Sequence, residues 1–79
     1  MKKVKVLWKD AWGINPSWES KEEALDHSYC MVETIGWLLK ENEDSIWLVM
    51  SWDKSTNMVC GAKLIPKECV LEVEYLRRV

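Results

Sequence analysis

Cys30-Met-Val-Glu-Thr-Ile-Gly-Trp-Leu-Leu-Lys-Glu41 combines β-branched and aromatic residues with one glycine, Gly36, near its middle. Residues of that kind suit a pleated, half-buried surface, so the run from Tyr29 to Glu41 reads as a long strand. A glycine inside a strand marks a bulge or a sharp bend, and a bend is expected at Gly36. Downstream, Glu41-Asn-Glu-Asp-Ser45 is a polar hairpin connection. Ile46-Trp-Leu-Val-Met-Ser-Trp52 is then a third strand, whose consecutive apolar residues imply cover on both faces. Asp53 to Asn57 is a second polar turn, Met58 to Ile65 a fourth strand, and Pro66-Lys-Glu a tight connection. Cys69 to Leu76 is a last strand, with Leu71, Val73 and Tyr75 inward against Glu72 and Glu74.

Upstream, Lys3 to Trp8 alternates Val4, Val6 and Trp8 with Lys3, Lys5 and Leu7, the period-2 pattern of a strand with one wet face. Asp10 to Ser20 contains Gly13 and Asn15-Pro16, which end the strand; the segment reads as a loop anchored by Trp12 and Trp18. Ser20-Lys-Glu-Glu23 matches a capping box and predicts a short helix from Lys21 to His27. With only Ala24 and Leu25 as its apolar content, that helix is expected to lie on the sheet as a lid. The predicted fold is mainly β, one domain over residues 1–79. It is a small five-stranded SH3-like or Sm-like barrel with one short helix after the first strand, since closure removes exposed edges. An open α+β sheet is the alternative.

A chain of 79 residues buries only about 60% of its unfolded surface, and disulfides, a metal or self-association usually supplement so small a core. Cys30, Cys60 and Cys69 are odd in number, form no C-x-x-C pair and follow no signal-peptide pattern, so a reducing, cytoplasmic setting is expected. They read as small hydrophobes in or near the core. One histidine, His27, cannot complete a zinc site with them, and no metal or cofactor is expected. Self-association remains. Six tryptophans carry more apolar surface than this core can enclose. In the third strand Trp47 and Val49 share one face, opposite Ile46, Leu48, Met50 and Trp52, and only one face can point into a small barrel. Trp47 and Val49 are therefore expected at the interface of a homo-oligomer.

The net charge of −2 does not attract polyanions, no run of five like charges occurs, and no apolar stretch reaches the ~20 residues of a membrane span. Nucleic acid and membrane are both disfavoured as partners. Lys2, Lys3, Lys5 and Lys9 with Arg77-Arg78 could still form a local basic patch, although lysines at strand edges commonly serve to prevent aggregation. With three glycines and one histidine the chain offers no phosphate loop, nucleophile motif or histidine pair, so no enzyme is expected. His27 reads as a partner for the last carbonyls of the helix. In Val59 to Cys69, Gly61 could admit a ligand while Lys63 and Lys67 meet an anion. The plainer reading there is a tight turn with solvated lysines. The candidate ligand site is thus Trp12, Trp18, Gly61, Lys63 and Lys67.

The segments Val4-Lys-Val-Leu-Trp-Lys-Asp-Ala11, Glu33-Thr-Ile-Gly-Trp-Leu38 and Ile65-Pro-Lys-Glu-Cys-Val-Leu-Glu-Val-Glu74 resemble, in their order, small uncharacterised proteins of bacteriophages and prophages. The resemblance covers nearly the whole chain and carries no catalytic motif. It implies an accessory, anti-defence protein of the host-cell cytoplasm that acts by binding, such as by sequestering a nucleotide signal or blocking a host protein through exposed tryptophans. An Sm-like ring on single-stranded nucleic acid is a further expectation.

Overall fold

In a computed structural model describing residues 1–10 and 17–77, the chain forms one antiparallel sheet of five strands in the order β4-β3-β2-β1-β5. The strands are β1 (Lys2–Asp10), β2 (Cys30–Glu41), β3 (Ser45–Asp53), β4 (Met58–Pro66) and β5 (Val70–Tyr75), with a short helix α1 (Lys21–Leu25) between β1 and β2. A single 3-10 turn, Lys67–Cys69, links β4 to β5. The class is mainly β and the sheet is open, with β4 and β5 as its edges.

The long strand serves two partners with different parts of its length. Cys30–Leu38 pair with β1, whereas Trp37–Glu41 pair with β3, so only Trp37 and Leu38 have strand neighbours on both sides. Gly36 stands at this handover. A methyl group there would lie 2.8 Å from the Val49 carbonyl oxygen and 3.0 Å from Met50 Cε. The glycine is required for the close approach of β3, whereas the irregularity in the β2–β3 ladder falls further on, between Leu38 and Lys40.

The sheet curls over its own core. Val4, Val6 and Trp8 of β1 cluster with Ile46 and Leu48 of β3 and Ile65 of β4, although β1 and β3 are not neighbours in the sheet. Each such side chain contributes about 1.5–3 kcal/mol on burial. Trp8 also donates its indole N–H to Thr34 Oγ1 at 3.0 Å, so the largest core ring leaves no polar atom unpaired. On the outer face Lys5 pairs with Glu74 at 3.1 Å, and that hydrogen bond and charge hold the lysine pKa above its ordinary value. An exposed pair of this kind adds little to stability.

Several expectations are corrected. Ser20 does cap α1, its oxygen accepting from the Glu23 amide at 3.1 Å, but α1 is no lid: it buries none of its residues, and Leu25 is 84% exposed. His27 pairs its ring with Glu19 at 3.1 Å. Cys30 and Cys60 are exposed, and only Cys69 packs at the edge of the core. On β5, Val73 packs against the core while Leu71 and Tyr75 are exposed. Val49 is fully buried within the chain, where it pairs with Trp37 of β2 on one side and Ala62 of β4 on the other; it needs no partner subunit to cover it. No described helix is long and apolar enough to cross a membrane.

Candidate functional site

Beyond Val49, β3 leaves β2 and continues paired with β4 alone. The β3–β4 hairpin therefore projects past the end of the β2–β3 pairing, and its tip faces the adjoining ends of β1 and β5. Asp53 organises that tip by accepting from the Ser55 amide at 3.0 Å and the Ser55 hydroxyl at 2.6 Å. These bonds, with others from Thr56, hold its carboxyl below the usual range. Asn57 adopts a left-handed φ of 58°, which asparagine tolerates better than most residues, and its side-chain oxygen accepts from the Trp52 indole N–H at 3.0 Å. On the opposite wall the Leu76 amide donates to the Lys3 carbonyl at 2.8 Å, holding the end of β5 beside the start of β1.

Between the two walls lies an open cleft of about 860 Å³, lined by Lys2, Lys3, Trp37, Trp52, Lys54, Tyr75 and Arg77 together with Met1 and Leu76. The rings of Trp37 and Trp52 meet edge to face with centroids 5.5 Å apart. Lys54 lies 5.5 Å from the Trp37 centroid and 5.3 Å from that of Trp52, Lys3 lies 5.6 Å from Trp37, and Lys2 lies 5.4 Å from the Tyr75 ring. Among the described residues, four cationic side chains and three aromatic rings thus line the cleft, and no carboxylate does. A chain of net charge −2 accordingly keeps one concave surface strongly positive, and low-dielectric walls focus such a field. The size falls within the roughly 300–1,000 Å³ of small-molecule sites.

The residues expected at a ligand site lie elsewhere. Trp12 is outside the described residues. Trp18 is 103% exposed, before α1. Gly61, at φ 72°, makes room for Met50, whose Cβ and Cγ would be 3.0 Å from an added methyl. Lys63 lies 4.8 Å over the Trp8 ring, and Lys67 pairs with Glu41 at 3.1 Å. Each lysine has a partner within the chain, and neither lines the cleft. Trp47 is half-buried beneath the Lys40 ammonium at 5.1 Å. The signal for the cleft was the basic cluster Lys2-Lys3 with Arg77, whose reading as edge protection missed the rings brought beside it by the fold.

Among the described residues no group of three or more His, Cys, Asp or Glu could hold a metal ion. Comparison of the chain with protein families, with curated proteins and with solved structures finds no match.

Proposed function

We propose that this chain is a non-enzymatic binding protein that captures a nucleotide-class anion in the cleft between the β3–β4 hairpin and the ends of β1 and β5. The observation that carries the reading is the convergence of Trp37, Trp52 and Tyr75 with Lys2, Lys3, Lys54 and Arg77, without a carboxylate among the lining residues. A planar base needs a ring to stack on, and its phosphate needs flexible cations. Lysine supplies a mobile point charge on a four-carbon stem, so ammonium groups now lying over the rings can swing to phosphate oxygens. The reading belongs with the phage-type accessory class and a host-cytoplasmic setting that the sequence resemblance implies. The strand order, with β5 returned beside β1 and the core enclosed by the curled sheet, supports treating the fold as an incompletely closed SH3-like or Sm-like barrel.

Calorimetry against linear and cyclic mono- and dinucleotides at physiological salt tests the reading. Binding that Trp37→Ala weakens by about 5- to 150-fold is expected, the value of one base–aromatic stack being about 1–3 kcal/mol. Lys54→Ala should weaken it as well. Absence of binding by every member of the panel refutes the reading. The same rings and cations suit single-stranded nucleic acid, and oligonucleotides bound with a steep salt dependence, in place of mononucleotides, would assign the cleft to that class instead.

A further inference from the structure

β4 is an edge strand of nine residues that, among the described residues, pairs with β3 alone. Only Ile65 is buried; the other eight residues are exposed, including the large apolar side chains of Met58, Val59 and Leu64. Folded proteins blunt such edges with charges, bulges, prolines or short length. β4 carries one charge, Lys63, and that ammonium is drawn over the Trp8 ring; its proline, Pro66, stands at the far end. The opposite edge is protected. β5 has six residues, exposes Glu72 and Glu74, and its pairing with β1 is broken by a register shift between Leu7 and Trp8.

The total surface indicates how much cover is missing. The chain exposes 6534 Å², roughly 1,500 Å² more than the about 5,000 Å² expected of a folded monomer of its mass. Its radius of gyration of 16.0 Å likewise exceeds the roughly 12 Å of a compact domain of this length. Part of that excess lies on α1 and the segment before it, where no residue is buried; the exposed face of β4 holds another part, and a stable dimer needs only about 800 Å² from each partner.

We infer that β4 is covered by β4 of a second copy of this chain, paired antiparallel across a two-fold axis so that two five-stranded sheets become one of ten strands. The strand is self-complementary in that arrangement. A two-fold at Gly61 sets Leu64 opposite Met58 and Lys63 opposite Val59, so no like charges meet, whereas β5 against β5 would crowd Glu72 and Glu74. Met50, exposed beside Gly61, extends the apolar patch. The inference is independent of the ligand assigned to the cleft.

Sedimentation equilibrium at micromolar concentration should give a particle of twice 9.3 kDa. Leu64→Lys should give a folded monomer with the circular dichroism of the parent, and Leu71→Lys, on the protected edge, should leave the dimer intact. Should Leu64→Lys not fold, hydrogen exchange of the unaltered chain decides: β4 amides must gain protection as concentration rises while β5 amides do not. A monomeric parent, dissociation by Leu71→Lys, or a ring larger than a dimer built on the β5 edge would overturn the inference.

Discussion

Gly36→Ala places one methyl group at the joint where β2 passes from β1 to β3. The new carbon would stand 2.8 Å from the Val49 carbonyl oxygen, 3.0 Å from Met50 Cε and 3.5 Å from Leu48 Cβ. The Met50 methyl, at the end of a flexible chain, can turn aside; the carbonyl cannot, because it belongs to the β3 backbone. β2 and β3 must therefore separate by several tenths of an ångström at the point where the strands handing over are most closely packed. Overpacking of this kind costs about 1–3 kcal/mol. Loss of glycine freedom in the unfolded chain returns about 0.4–1 kcal/mol of that, leaving a net destabilisation centred on about 1.3 kcal/mol. For a domain of this length each kcal/mol moves the melting temperature by about 4–8 °C, so a fall of about 5–10 °C is expected by calorimetry. Adding Met50→Ala should restore only part of the loss, since it relieves the methyl contact and not the carbonyl one. A single variant that melts within about 2 °C of the parent, or a complete rescue by Met50→Ala, would show that the backbone contact is not what demands glycine.

Leu48 is fully buried in the core, so Leu48→Asp sets an unpaired carboxylate among apolar side chains and should abolish the cooperative thermal transition altogether; a sharp transition at neutral pH is the contrary result. Asp53 has its folded pKa lowered by hydrogen bonds from Ser55 and Thr56. Its contribution is therefore complete above the ordinary carboxylate pKa of about 3.9 and is lost as pH falls through the lower folded value. The β3–β4 turn should loosen only below about pH 4, seen as loss of the Ser55 amide shift by NMR, and Asp53→Asn should remove that titration.

Strand positions were legible because they depend on local alternation. Val4, Val6 and Trp8 were read as one face and are buried together, and Ile46 and Leu48 were read onto the core side of β3, where both are fully buried. Gly36 reads as a bend, but the structure shows a close approach of β3 to it, and the shift in the β2–β3 ladder lies between Leu38 and Lys40. What stayed hidden depends on register. Lys3 faces Trp37 only because β1 and β2 pair as they do, and Lys54 reaches the same ring only because β3 outruns β2. Nothing in the spacing of residues 3, 37, 54 and 75 shows that they converge. Helix α1 illustrates the converse error: its capping box predicted a helix correctly, but a cap says nothing about what the helix rests on.

The pairing of β1 with β5 joins Val4 to Tyr75 across almost the whole chain, whereas β2, β3 and β4 are linked by tight turns. Closing a long loop costs more entropy than closing a hairpin and slows folding. The meander of β2, β3 and β4 can assemble from neighbours in sequence, bringing Trp37, Trp52 and Lys54 together early. β1 acquires its outer neighbour only once β5 has been synthesised and returned to it, and Tyr75 and Arg77 arrive with that strand. The second wall of the cleft is thus completed after the first, and a ribosome-bound chain lacking β5 would carry the indoles of the cleft without the whole of their facing wall.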